Sequence, residues 1–169
     1  MKKALAVFAL WGLLTSNITF GYTVGSSMYP NIYNAVCVIE KVKPAEIKRG
    51  DIVSIKANDG EVVIKRVIGL PGEKIQIKNG RVYINGRVLN EPYLPKGTKT
   101  EWYFTDVLNI PKDSYFLLGD NREISKDSRH YGPVMAKNLE GKVIAYVNNI
   151  TVGKIADIIG KQLHFANIP

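Results

Sequence analysis

The sequence predicts a mostly β domain of antiparallel sheets, preceded by one N-terminal transmembrane helix. Short runs of β-branched residues recur from residue 34 onward and are bounded by Gly, Asn and Pro. No charged residue occurs between Ala4 and Ile39, whereas charges are frequent in the rest of the chain. A hydrophobic content of 46% with 22% charged residues is typical of a folded globular protein, which excludes wholesale disorder.

The N-terminal segment, residues 1–24, favours a membrane anchor. Lys2 and Lys3 precede an apolar run from Ala4 to Val24, which has the length of the about 20 residues that a helix needs to cross a bilayer. The lysines predict a cytoplasmic N-terminus, with a β-rich domain, residues 25–169, on the outer face of the cell membrane. Two alternatives are a cleaved leader, although the run lacks a clean small-residue cleavage site, and a buried core helix.

The remainder of the chain predicts short strands joined by tight turns. Strands are expected over 36–39, 51–55, 61–68, 75–77, 81–84, 87–89, 114–118 and 142–147. Asn79-Gly80 and Asn85-Gly86 separate three of them, and Asn-Gly favours a hairpin because both residues tolerate a positive φ. These three strands should form a meander. Only 135–139 and 155–164 have a weak helical pattern.

Charge and cysteine content exclude some classes of site. The 23 Lys and Arg against 15 Asp and Glu give a net charge of +8, which suits either an anionic membrane surface or nucleic acid. A single cysteine excludes an intramolecular disulfide, and one cysteine with two histidines argues against structural zinc. We therefore expect neither a metal nor a cofactor.

Three segments carry side chains that suit catalysis. Gly25 to Pro30 contains serines, and taken alone it is typical of a turn. Lys65 and Arg66 are adjacent in the predicted strand 61–68, so one of these cations lies on an apolar face unless the strand is a solvated edge. Burial there would lower a lysine pKa and favour a neutral amine. The third segment, 119–129, is dense in turn formers and charges, and is either a solvated loop or one positioned by the preceding strand.

In order along the chain, these segments resemble the sequence boxes of type I signal peptidases, which are membrane-anchored serine proteases with a Ser/Lys dyad. The matching segments are Ser27-Met28-Tyr29-Pro30, Arg49 to Val53, Lys65 to Gly72, and Gly119 to Arg122 with Ser125, Asp127, Ser128 and Arg129. The resemblance covers nearly the whole chain. It implies an antiparallel β fold of the signal peptidase and LexA-like type, in agreement with the predicted strands.

The resemblance implies a role for each residue of the dyad. Ser27 would be the nucleophile and its backbone N–H one donor to the oxyanion, while Lys65 would be the general base. Ser125 would hydrogen-bond to the lysine amine and orient it. Two positions depart from the family pattern. Gly25 stands where some members have a serine that serves the oxyanion, which leaves the second donor open, and Asn31 stands where threonine is usual.

Five further residues have implied roles around the dyad. Asp127 and Arg129 would form an ion pair that braces the loop. Asp120 and Arg122 would be structural partners near the site. Met28 would line the substrate pocket.

The implied substrates are preprotein signal peptides with small residues at the first and third positions before the cut. Such a segment would pair as an extended strand with a sheet edge at the membrane surface, in contact with lipid. Nucleic acid is not expected as a partner. One alternative is a dedicated peptidase that processes a single pilin-like substrate. Others are a LexA-like regulator, which would need an N-terminal helix-turn-helix, and a non-catalytic binding module. Cys37 and His130 are predicted to lie outside the catalytic machinery.

Overall fold

Two antiparallel sheets make up the part of the chain that the computed structural model describes, which is residues 17–56, 62–104 and 106–149. The strands are β1 Ile18–Thr23, β2 Ala35–Glu40, β3 Ile52–Lys56, β4 Val62–Gly69, β5 Lys74–Lys78, β6 Arg81–Ile84, β7 Arg87–Val88, β8 Leu108–Asn109, β9 Ser114–Leu118, β10 Val134–Met135 and β11 Leu139–Val147. The larger sheet has seven strands in the order β1-β2-β11-β3-β4-β9-β10, and the smaller has four in the order β7-β6-β5-β8. The predicted mostly β, antiparallel fold is confirmed.

The strands predicted from the sequence are all present, with ends shifted by a few residues. Asn79-Gly80 and Asn85-Gly86 form the two turns of the predicted meander, and all four residues have a positive φ between 51° and 80°. The meander pairs β5 with β6 and β6 with β7, and β8 extends it on the other side. Tight Asn-Gly turns fix register, so this sheet follows directly from local sequence.

The helical segments of the described chain are short. They comprise 3-10 turns at Pro44–Glu46 and Ala136–Asn138 and one α-helical turn, α1, at Ser128–Tyr131. The predicted helix at 135–139 is therefore wrong except for its central 3-10 turn, because β10 precedes that turn and β11 begins directly after it. The pattern at 155–164 lies outside the described residues. No helix in the described ranges is long and apolar enough to cross a bilayer.

β1 lies inside the stretch that the sequence predicts as a membrane anchor. It pairs with β2 along its whole length, from Ile18↔Glu40 to Thr23↔Ala35. A spanning helix that continues to Val24 is therefore wrong for residues 18–23, whose backbone groups complete a sheet ladder. The apolar, uncharged composition of β1 explains the error, because it suits an exposed strand as well as the end of an anchor. Residues 1–16 of the predicted anchor lie outside the described residues.

Apolar side chains form three buried clusters that hold the two sheets and the loops together. One cluster joins Ile75 of the small sheet to Phe116 of β9. A second contains Met28 and Ile64, so it fixes the turn after β1 against β4. The third packs the other face of β3, β4 and β9. The second cluster is the one that brings two parts of the predicted active site together.

Candidate active site

Ser27 lies in the turn that follows β1. The turn is closed by backbone hydrogen bonds, in which Tyr29 N donates to Ser26 O over 3.0 Å and Ile32 N donates to Met28 O over 2.9 Å. The backbone N–H of Ser27 donates to no acceptor among the described residues. This N–H is therefore free to bind a developing oxyanion.

Lys65 reaches Ser27 from the middle of β4. Its side chain is buried, with 3% of its surface exposed. The Nζ atom donates to Ser27 Oγ over 3.0 Å and to the Ile64 carbonyl over 3.1 Å. Burial lowers the pKa of Lys65 from its ordinary value, and the negative charge of Asp127 opposes part of this effect. A lysine with a lowered pKa loses its proton more readily and can then accept one from a hydroxyl.

The contact between Ser27 and Lys65 requires a strongly curved sheet. β1 and β4 are not neighbours, because β2, β11 and β3 lie between them in the strand order. The turn after β1 nevertheless reaches Lys65. β1 is an edge strand, and in the described part of β4 the pairing with β9 begins only at Arg66↔Leu118. The backbone of β4 before Arg66 therefore has an unpaired edge beside the site.

Gly119 and Ser125 pack directly against the Ser27 turn. A Cβ atom on Gly119 would lie 2.1 Å from Ser125 Oγ and 2.4 Å from the Ser27 carbonyl oxygen, so only glycine fits. Ser125 is buried, and its Oγ has no hydrogen-bond partner among the described residues. The expected hydrogen bond from Ser125 to Lys65 is therefore not formed here. The hydroxyl is close to the site but leaves its hydrogen-bonding capacity unused.

Asp127 organises the loop beyond Gly119. It forms the expected ion pair with Arg129, whose Nε lies 2.8 Å from Asp127 Oδ1. It also accepts hydrogen bonds from Gly119 N over 3.0 Å and from Arg129 N over 3.2 Å, the second of which caps α1. A single buried carboxylate thus ties the end of β9 to the start of α1.

Asp120 and Arg122 are buried but are not each other's side-chain partners. Asp120 pairs with Arg66, with Oδ2 lying 2.6 Å from Nη2, and Arg122 pairs with Glu91. The expectation that the two residues act as a pair is therefore wrong. They hold two different segments to the same loop. Alternation along β4 directs Arg66 away from the face of Lys65, which lets Arg66 pair with Asp120.

Met28 does not line an open pocket. Its side chain is 2% exposed and packs in the buried cluster with Ile32, Cys37 and Ile64. The expected role in a substrate pocket is therefore not supported by its position, which makes it a packing residue beneath the Ser27 turn. Met28 thereby fixes the backbone next to Ser27.

Asn31 is a site residue that the sequence marked only as a departure from a family pattern. Its Nδ2 donates to Asp120 Oδ2 over 2.7 Å and to Tyr93 O over 2.9 Å. It therefore connects the Ser27 turn to the Arg66–Asp120 ion pair. No local sequence signal could have revealed this link, because the partners are 62 and 89 positions away.

Other reactive side chains do not contribute to the dyad. Cys37 is fully buried, and burial raises its pKa while a hydrogen bond with Thr23 opposes the increase. His130 is exposed on α1, where its Nδ1 accepts from Asp127 N. In the described ranges no three His, Cys, Asp or Glu side chains are grouped to hold a metal ion.

Comparisons with known proteins point to one family. The family described as signal peptidase, peptidase S26, matches residues 1–147. Signal peptidase IB of Staphylococcus aureus is 36% identical over 170 residues, which cover 85% of this chain and 89% of that protein. Signal peptidase I S of Bacillus subtilis is 40% identical over 141 residues, which cover 76% of each.

A solved structure extends the comparison to the fold. The crystal structure of a signal peptidase I from Enterococcus faecalis is 36% identical to this chain and superposes with a TM-score of 0.51, covering 59% of this chain and 97% of that one. The family match spans most of the chain, and the relatives align over most of their own length. The chain therefore belongs to the peptidase S26 family of signal peptidases and is a serine endopeptidase of that type.

Proposed function

We propose that this chain removes signal peptides from preproteins with Ser27 as the nucleophile and Lys65 as the general base. The observation that carries the proposal is the 3.0 Å separation of Ser27 Oγ and Lys65 Nζ, with the lysine buried. A serine hydroxyl is a weak nucleophile until an adjacent base removes its proton. A buried amine whose pKa is lowered loses its proton more readily and can serve as such a base.

The reaction proceeds through an acyl-enzyme. Neutral Lys65 accepts the hydroxyl proton of Ser27 as Oγ attacks the scissile carbonyl carbon. The free N–H of Ser27 donates to the resulting oxyanion. The C–N bond then breaks, and the Lys65 ammonium returns its proton to the leaving amine. Water attacks the ester with Lys65 again as base, which releases the carboxylate and restores Ser27.

The substrate binds as an extended strand. The unpaired edge of β4 lies directly before Lys65, and β1 offers an edge on the Ser27 side. Backbone hydrogen bonds to these edges hold a peptide irrespective of its sequence, and selectivity comes from the room left for alternate side chains. Met28 and Ile64 pack beneath the turn, so the substrate site above them is shallow and favours small residues before the cut.

The surrounding residues position the dyad. Asp127 and Arg129 brace the loop that contains Gly119 and Ser125, and the charge of Asp127 influences the amine of Lys65. Ser125 orients Lys65 once its side chain rotates toward the amine, because its hydroxyl has no hydrogen-bond partner among the described residues. Asp120 and Arg122 anchor the loop to β4 and to the segment around Glu91.

We further propose that the segment before β1 attaches the protein to the cell membrane and that the rest is the catalytic domain on the outer face. Lys2 and Lys3 followed by an uncharged apolar run favour this orientation. Phe20 of β1 is 55% exposed and Val24, just after the strand, is 80% exposed, so apolar side chains continue next to this segment. The proposed catalytic domain thus begins before Ile18 rather than at Gly25.

Cleavage of a preprotein followed by N-terminal sequencing tests the proposal. Detergent-solubilised protein should produce one new N-terminus, directly after a small residue. Absence of cleavage, or cuts scattered along the chain, would contradict it. In a panel of substrates, cleavage of one pilin subunit and of no ordinary preprotein would favour the dedicated-peptidase alternative.

A further inference from the structure

A wide cleft opens on the side of the Ser27 turn where Tyr29 and Pro30 lie. Its volume is about 890 Å³, and Trp102, Tyr103, Asn121 and His130 contribute to its walls. We call it the downstream cleft. Neither Ser27 nor Lys65 lines it. It is distinct from the unpaired edge of β4, yet it begins two residues after the proposed nucleophile.

The downstream cleft lies beside the Ser27 turn. Asn121, in its wall, donates its backbone N–H to the Ser27 carbonyl over 3.0 Å. Tyr29 is 54% exposed and stands on the same turn as Ser27. A peptide whose scissile bond lies at Ser27 Oγ would therefore pass Tyr29 on entering the cleft, since each extended residue advances it by about 3.3 Å.

One wall of the cleft contains the aromatic side chains of Trp102 and Tyr103, of which Trp102 is held in place by its neighbours. Trp102 Nε1 donates to the Arg129 carbonyl over 2.8 Å, and the indole ring lies 5.5 Å from the ring of Phe116 in the core. Beside it, Tyr103 is completely exposed, at 106% of its reference surface. Aromatic side chains that are held in place and open to solvent bind apolar or aromatic groups at little entropic cost.

The charges around the cleft do not require a charged ligand. Three charged side chains of its wall are already paired within the protein, as Arg66–Asp120, Glu91–Arg122 and Asp127–Arg129. The exposed ones are of both signs, namely Lys99, Glu101 and Glu123. The part of the cleft that would select a ligand is therefore its set of aromatic side chains.

We propose that the downstream cleft binds the segment that follows the cut, the leaving part of the substrate, as an extended peptide with apolar or aromatic side chains near its start. This inference rests on the proposed function. The volume of the downstream cleft lies in the range of sites that enclose drug-sized ligands, so the cleft is far too large to select the small residues expected before the cut. The segment after the cut has no such size restriction, and it must leave Ser27 on the side away from the edge of β4.

Paired substrates test the proposal. Both peptides carry the same residues before the cut. One ends in a single-residue amide, and the other continues for several residues with an aromatic side chain near the start. Wild-type protein should have a higher kcat/KM for the long substrate. In Tyr103→Ala this advantage should fall by about two- to tenfold, as expected for the loss of one aromatic contact, with the loss confined to the long substrate.

Tyr83→Ala is the matched control, because Tyr83 lies on β6 outside the cleft wall. It should retain the advantage of the long substrate. Equal rates for both substrates in the wild-type protein, or equal losses for both in the Tyr103→Ala variant, would overturn the assignment of the cleft. Absence of cleavage of either substrate by the wild-type protein would instead refute the proposed function, and the inference with it.

Discussion

Burial is the property of Lys65 that matters most for the proposed chemistry. An exposed lysine has a pKa of about 10.4 and is almost entirely protonated at neutral pH. Lys65 is 3% exposed, and burial lowers its pKa, so at a given pH a larger fraction of its amine is neutral than for an exposed lysine. The same 3.0 Å contact with Ser27 on the surface of the protein would be a hydrogen bond without catalytic value.

Replacement of Lys65 by arginine tests whether this side chain acts as a base or only supplies a positive charge. Lys65→Arg keeps the charge but cannot deprotonate, so it should be as inactive as Lys65→Ala and Ser27→Ala, with kcat/KM reduced by about 100-fold or more. Lys74→Arg, at an exposed lysine of β5, should retain full activity. Substantial turnover by Lys65→Arg would show that this position supplies charge rather than basicity.

The pH dependence of kcat/KM should reflect the protonation of the Lys65 amine. Because neutral Lys65 is the active form, kcat/KM should rise with pH and level off above a pKa that lies below about 10.4. Between that lowered pKa and the ordinary value, the unfolded chain binds more protons than the folded protein. The free energy of unfolding should therefore also rise with pH across this interval. A rate that is already constant at pH 5 would contradict a lysine base.

Residue types at the site could be predicted from the sequence, but most contacts could not. Alternation in a strand shows that Lys65 and Arg66 face opposite sides without showing which side faces Ser27. Only the family resemblance selected the lysine. The link from Asn31 to Asp120 and the choice of Arg66 as the partner of Asp120 depend on how distant segments pack, which local patterns do not encode.

At the scale of elements, β4 and the loop after β9 contain the residues that surround the Ser27 turn. β4 presents Lys65 on one face and Arg66 on the other, so one strand both brings Lys65 to Ser27 and binds the loop through Asp120. The loop returns against the Ser27 turn at Gly119. The Asn-Gly turns of the small sheet were predictable because they are local, whereas β1 was not, since its uncharged apolar residues also suit an anchor.

Gly119→Ala should disrupt this packing. The new methyl group would meet Ser125 Oγ at 2.1 Å and the Ser27 carbonyl at 2.4 Å, and the backbone oxygen cannot move without moving the nucleophile. We expect a loss of about 1–3 kcal/mol in the free energy of unfolding, measured in urea, together with a fall in kcat.

Gly21→Ala provides the comparison for that variant. Its Cβ would meet only the end of the flexible Ile39 side chain, at 3.0 Å, so its effect on stability and on kcat should be small. If Gly119→Ala behaved like Gly21→Ala in both measurements, the close contact between the loop and the nucleophile turn would not be required.

The whole molecule combines a curved sheet with an apolar N-terminal side. Curvature brings the end of β1 to β4 across three intervening strands, which leaves the edges of both strands available to a peptide. β1 is also the strand nearest to the uncharged N-terminal run, and its Phe20 is half exposed. The Ser27 turn therefore directly follows the strand next to the proposed membrane anchor, an arrangement that would suit substrates tethered to the same bilayer.

The protein should behave as an integral membrane protein with its catalytic domain outside. The net charge of +8 alone would give binding to anionic lipid that salt or alkaline carbonate reverses, whereas an inserted apolar segment resists both. Leu10→Arg places a charge in the middle of that segment at a cost of about 2.5–3.5 kcal/mol and should shift protein to the carbonate-soluble fraction. Leu10→Ile, which adds no charge, should not shift the protein to that fraction. Protease added outside intact cells should digest the catalytic domain, and release of the wild-type protein by carbonate would refute insertion.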